Sequence, residues 1–225
     1  MFYGILLWIA RAAGRVQFYG SERISECPEN KGLILISNHP SLWEPALYPS
    51  LFFPRCLFSS RRVPHSVVDK ANYYDKCWFA PIRPFLIPIE RGNARRELQT
   101  IQEEIRPFLE QGGVLILFPE GSRTFKAKKI RGGKRSPSGG REIGEFPRGI
   151  RKLFADSDFL ILPCWAEGGD KVVPNKESFS KTIFQFPNFL KKTTIIIGEP
   201  FSVRDISKDR IVEYLEDKLL QVKEG

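Results

Sequence analysis

Leu33, Ile34, Leu35 and Ile36 follow one another without a polar residue, and this run constrains the fold more than any other stretch. A strand with one face in water alternates apolar and polar side chains. A strand with no polar position needs cover on both faces, as in a sheet with helices above and below it. The pattern recurs at residues 114–118 and 159–165 and, behind a leading Thr194, at 194–197. Between these runs the period changes. Leu98, Ile101, Ile105 and Leu109 share one helical face behind a capping Asn93, with Pro107 expected to kink or end that helix. Ile211, Leu215, Leu219 and Val222 do the same in a final helix that Ser207 is expected to cap. Residues 15–20 read as an edge strand, 55–60 as a second strand, and 85–92 as an edge or irregular strand because of Pro88. Strands alternating with helices predict an α/β fold with a mostly parallel or mixed sheet flanked by helices.

The 225 residues suit one domain of ordinary size, and 42% hydrophobic content supplies a real core. Cys27, Cys56, Cys77 and Cys164 are scattered and only two histidines are present, so no metal site is expected and the thiols read as reduced, in a cytosol-facing protein. Net charge is +9, and it has an address: between Thr124 and Lys152 ten Lys or Arg face only Glu142 and Glu145. Such a basic stretch points to anionic partners, among them a membrane surface, an acidic carrier protein or nucleic acid. Nucleic acid is disfavoured, because Phe125 and Phe146 are the stretch's only aromatic residues. Residues 1–14 are apolar up to Arg11. As a helix that apolar piece is about 15–20 Å long, short of the roughly 30 Å needed to cross a bilayer. With Tyr3, Trp8 and Arg11 it fits either a short helix in the membrane interface or one docked on the domain's own core. The expected organisation is an N-terminal interfacial segment (1–14), then one domain (15–225) with a basic loop insertion (124–147).

Polar clusters follow the apolar strands directly. After the first come Asn38, His39 and, five residues beyond the histidine, Glu44; after the strand near 85–89 come Glu90 and Arg91; after 114–118 come Glu120, Gly121, Ser122 and Arg123. In an open α/β sheet the strands' carboxyl ends border the crevice where ligands bind. A carboxylate holding one imidazole nitrogen leaves the other free to take a proton, so His39 with Glu44 forms a base and its orienter without a metal. Arginines there suit a phosphate or a carboxylate. Plainer readings stand beside these: a turn in which Ser41 caps the next helix, and arginines in surface salt bridges with Glu90 and Glu120. His65 lies in a proline-containing loop with no carboxylate at useful spacing and reads as structural or solvent-exposed.

Four stretches, in order, resemble the motifs of the glycerophospholipid acyltransferase family, which includes the 1-acylglycerol-3-phosphate acyltransferases: residues 38–44 (NHPSLWE), 88–91 (PIER), 118–123 (FPEGSR) and 161–163 (ILP). The resemblance spans roughly residues 15–200 and implies a glycerol-3-phosphate acyltransferase-like fold. It implies His39 as general base, Glu44 as its orienter, and Arg91, Glu120, Gly121, Ser122 and Arg123 as binders of the acceptor's glycerol-phosphate end. Pro163 would shape the acyl-binding wall. No cofactor is implied; acyl-CoA or acyl carrier protein would be the co-substrate. The product would be phosphatidate, made by a peripheral enzyme on the cytoplasmic face of a membrane with anionic lipids. The family's usual first motif has Asp where this chain has Glu44, whereas relatives acylating lipid A precursors use Glu. Alternatives are another lysolipid acceptor, such as a lyso-ornithine lipid, or a non-catalytic binder of lipid or nucleic acid.

Overall fold

A computed structural model describes residues 9–53, 56, 59–124, 134–135, 142–175 and 185–222. Its centre is a seven-stranded sheet built from β1 (Val16–Tyr19), β2 (Leu33–Ser37), β3 (His65–Asp69), β4 (Leu86–Ile89), β5 (Val114–Leu117), β8 (Leu160–Glu167) and β9 (Thr193–Ile197). Their spatial order is β1-β9-β8-β2-β5-β3-β4. Every pairing is parallel except β8 with β9. The carboxyl ends of β2, β3, β4, β5 and β8 therefore share one edge of the sheet. Two further short strands, β6 (Lys134–Arg135) and β7 (Glu142–Ile143), pair antiparallel.

The apolar runs behave as double-sided strands. Ile34 and Ile36 of β2 join a core with Leu115, Ile161 and Ile196, covered by the helical stretch from Ala94 to Glu110, by Arg151–Phe154 and by Ile211–Leu220. Leu33 and Leu35 enter the opposite core with Val114, Ile116, Leu162 and Ile195, under Arg23–Glu26, Glu44–Leu47 and Gly169–Val172. All four β2 aliphatics are essentially inaccessible to water. Each such side chain, fully buried, contributes about 1.5–3 kcal/mol, which explains why no polar residue interrupts the run.

Several expectations shift. The second strand is His65–Asp69, not 55–60: Cys56 is helical, Ser60 opens a short 3₁₀ turn, and Arg55, Leu57 and Phe58 lie outside the described residues. His65 thus begins a strand, half-buried, its ring 4.4 Å from that of Phe108. Both predicted edge strands are edges, β1 on one side and β4 with its Pro88 on the other. Asn93 does cap its helix, accepting from the Arg96 N–H at 3.2 Å. Pro107 does not end that helix. The turn before it widens to a π-helix over Ile101–Ile105, and α-helix resumes over Arg106–Glu110; a widened turn is one way a helix absorbs proline's missing N–H. The final helix starts at Ile211, beyond Ser207, whose backbone carbonyl accepts from Arg210 in the preceding turn. No helix among the described residues is long and apolar enough to cross a membrane.

Candidate active site

Strand β2 ends at Ser37, and the next residue carries the ladder one step further with its side chain. The Asn38 amide donates to the Ala166 carbonyl at 2.9 Å and accepts from the Ala166 N–H at 2.7 Å, tying the chain to the end of β8. His39 follows at the sheet's carboxyl edge, nearly buried, its ring stacked on Phe118 with centroids 4.2 Å apart. Nδ1 faces the Glu44 carboxylate at 3.6 Å and has no hydrogen-bond partner among the described residues. That gap is longer than a hydrogen bond and short enough to close with a small rotation of the ring.

Glu44 is completely buried. One carboxylate oxygen accepts from the Ser41 backbone N–H at 2.9 Å and the other from the Ser41 hydroxyl at 3.0 Å. The same hydroxyl accepts from the Trp43 N–H at 3.0 Å. Ser41 therefore makes a turn here but does not cap the next helix as the plainer reading expected: the N-cap of Glu44–Leu47 is Trp43, without a side-chain cap bond. Ser41 spends its hydroxyl on fixing the carboxylate instead.

Glu120, predicted as an acceptor-binding residue, spends its side chain on protein. Its carboxylate accepts from the His39 backbone N–H at 3.0 Å, from the Thr124 hydroxyl at 2.6 Å and from the Gly144 N–H at 2.8 Å. Thr124 reciprocates, its N–H donating to the His39 carbonyl at 2.8 Å. Burial pushes the Glu120 carboxyl above the ordinary glutamate value, and these donors oppose the rise without cancelling it. Glu120 and Thr124 thus grip the histidine's backbone from the end of β5.

The arginines divide. Arg91, after β4, is exposed; its guanidinium donates to the Gly121 carbonyl and lies 3.6 Å from Asp69 at the end of β3. Gly121 sits at φ +66°, a backbone conformation glycine adopts at no steric cost, and this turns its carbonyl toward Arg91. Arg123 is buried and donates to Asn175 at 2.7 Å, and Asn175 in turn donates to the Pro40 carbonyl at 2.7 Å. Tyr73, half-buried, lies near enough to feel both guanidinium charges. Glu90 pairs with Lys70 at 2.9 Å rather than with Arg91. Ser122 is exposed at the tip of this loop. Pro163 lies away from the edge, buried inside β8, its carbonyl accepting from Gly198 at 2.7 Å. Its missing N–H falls where the β8–β9 ladder runs out, since pairing starts at Cys164 and Ile197.

His39, Glu44, Arg91, Glu120, Gly121, Ser122 and Arg123 thus share one sheet edge. Sequence reasoning did not select Ser41, Asp69, Phe118, Thr124, Gly169 or Asn175. Thr124 stood next to Arg123, and the Gly168-Gly169 pair followed an apolar strand as the other clusters did, so for these two a signal existed. Asp69 and Asn175 had none, because only the folded sheet brings them to the arginines. A family model described as Acyltransferase matches residues 15–167, about two thirds of the chain and all the strand ends just described, so the chain belongs to that family, the glycerophospholipid acyltransferases, with 1-acylglycerol-3-phosphate acyltransferases among its members.

Proposed function

We propose that this acyltransferase moves a fatty acyl group from a thioester, acyl-CoA or acyl carrier protein, to the hydroxyl of a lysophospholipid, foremost 1-acylglycerol-3-phosphate, giving phosphatidate. The observation that carries the reading is the buried Glu44 carboxylate 3.6 Å from a His39 Nδ1 that has no hydrogen-bond partner among the described residues. With the proton on Nδ1 held toward Glu44, Nε2 presents a lone pair to the acceptor. Nε2 takes the hydroxyl proton as the oxygen attacks the thioester carbon. The tetrahedral oxyanion collapses, the C–S bond breaks, and the leaving thiolate receives that proton from the imidazolium. Glu44 stabilises the imidazolium formed in between. Phe118, stacked on the ring, limits its tumbling.

Arg91 is the cation with room for the acceptor's phosphate, being exposed and fixed at one nitrogen by Gly121. A lysolipid acceptor without phosphate is the second reading. It is favoured by the engagement of Arg91 with Asp69 and of Arg123 with Asn175, which absorbs part of their charge and donor capacity. The membrane that supplies the acceptor is the proposed partner, approached from the same edge.

The test is purified protein with a long-chain acyl thioester and lysophosphatidate, with product identified by mass. Phosphatidate is expected, and His39→Ala, still folded by circular dichroism, should lower kcat by at least about 10²-fold. Near-wild-type turnover in folded His39→Ala would end the mechanism.

A further inference from the structure

Gly168 and Gly169 follow β8 and face different neighbours. A methyl group on Gly168 would strike the Lys192 backbone carbonyl, an ordinary demand of a tight turn. A methyl group on Gly169 would fall 1.7 Å from the Glu44 carboxylate oxygen Oε1, 2.9 Å from its carboxyl carbon and 3.1 Å from the Ser41 hydroxyl oxygen. The Glu44 side chain thus occupies the volume that a side chain at 169 would need. It cannot step aside cheaply, because it is fully buried and held by both the Ser41 N–H and the Ser41 hydroxyl.

We infer that Gly169 is a positioning residue of the catalytic site: its missing side chain is the seat that lets a carboxylate as long as glutamate's reach its place beside His39. The inference rests on the proposed roles of His39 and Glu44. The seat is matched to side-chain length. Glutamate at 44 requires glycine at 169, whereas aspartate, one methylene shorter, withdraws its carboxylate and leaves room for a methyl group. Residues 44 and 169 therefore form a coupled pair across 125 positions of chain, one from the turn after β2 and the other from the turn after β8. Alanine at 169 does not remove the carboxylate. It displaces it, breaks its bonds to Ser41 and leaves the imidazole without its guide.

The experiment compares wild type, Gly169→Ala, Glu44→Asp and the double variant by steady-state kinetics and by ¹⁵N spectra of the imidazoles. Only two histidines are present, so the His39 signals are read against His65 as internal control. Gly169→Ala should lower kcat by about 10-fold or more with KM within about 2-fold, the pattern of lost transition-state help rather than lost binding. Its His39 ring signals should move toward a tautomer mixture while those of His65 stay in place. In the Glu44→Asp background the same Gly→Ala change should cost less than about 3-fold, the non-additivity expected of residues in contact and not of distant, independent sites. Equal losses in both backgrounds, or His39 signals unchanged in Gly169→Ala, would overturn the inference. So would a Gly169→Ala protein that fails to fold and is not rescued by Glu44→Asp. If wild type acylates no lysolipid at all, the proposed function fails, yet the ring spectra still decide this question.

Discussion

Glu120 shows how a residue can sit in a functional motif and act through the backbone. Its two oxygens receive three donors, from His39, Thr124 and Gly144, and a glutamine would present one oxygen and one amino group to the same donors. An N–H facing an N–H leaves a buried donor unsatisfied, at about 1–3 kcal/mol. Glu120→Gln is therefore expected to lower stability by that amount, measured by urea denaturation, and to lower kcat by releasing the His39 backbone. The pH dependence has a definite sign. The folded carboxyl titrates above the ordinary glutamate value because of burial, so the folded state takes up the proton at higher pH than the unfolded chain. Stability from this group is then fully present below the unfolded value and is lost as pH rises through the folded one. The difference between wild type and Glu120→Gln should accordingly shrink as pH rises through that window.

At the scale of elements, the sheet edge sorts its two arginines by the strands that hold them. Arg91 leaves the edge strand β4 into solvent, while Arg123 is folded under the loop and bridged through Asn175 to Pro40. Arg91→Ala should spare the thermal midpoint and reduce kcat/KM for lysophosphatidate at least about 10-fold more than for an unphosphorylated lysolipid. Arg123→Ala should also lower the thermal midpoint, because it leaves Asn175 and a buried cavity without the guanidinium. Equal losses for both acceptors in Arg91→Ala would favour the unphosphorylated substrate. These elements also show what could be read from the chain. The strand that begins at Leu33 was legible because being covered on both faces leaves a one-dimensional trace, four aliphatics in a row. The strand His65–Asp69 was not: its first four residues are only half-buried, and a preceding proline masks its start. Likewise His39 and Glu44 were visible as near neighbours in sequence. Asp69 reaches the site through strand pairing and Asn175 through the chain beyond β8 folding back onto Arg123 and Pro40, and no local spacing encodes either.

On the whole molecule, the sequence placed the membrane contact in residues 1–14 and in the basic stretch, most of which lie outside the described residues. The described surface adds a candidate of its own. Phe186 and Leu190 are 84% and 77% exposed, and Ile9 is 50% exposed. Lys191, Lys192, Arg11 and Arg15 are exposed beside them in sequence. Residues 185–192 lead into β9, whose start lies level with the end of β8, and so they border the His39 edge. Apolar side chains among cations suit insertion at the headgroup level of an anionic bilayer. Binding to vesicles of phosphatidylcholine with phosphatidylglycerol should rise with anionic content and fall with salt. It should drop at least about 5-fold in Phe186→Ser/Leu190→Ser, since each loses apolar area from the interface. Co-sedimentation measures all three, and indifference to lipid charge would remove the membrane from this surface.

The single antiparallel pairing in the sheet has a practical consequence. Because β9 runs against β8, and β1 runs with β9, the starts of β1 and β9 lie at the same edge as the ends of β2 and β5. The described chain therefore leads into β1 from the edge that carries His39. Were this acyltransferase tethered to a bead or a chip through a side chain at Arg11, His39 would be turned toward the support. Small thioesters would still diffuse in, whereas a bulky acyl carrier would be shaded by the surface. Attachment at a position on the opposite edge, such as the turn at Asn30 and Lys31 just before β2, would leave the histidine facing outward, and the ratio of activities with small and large donors would report the difference.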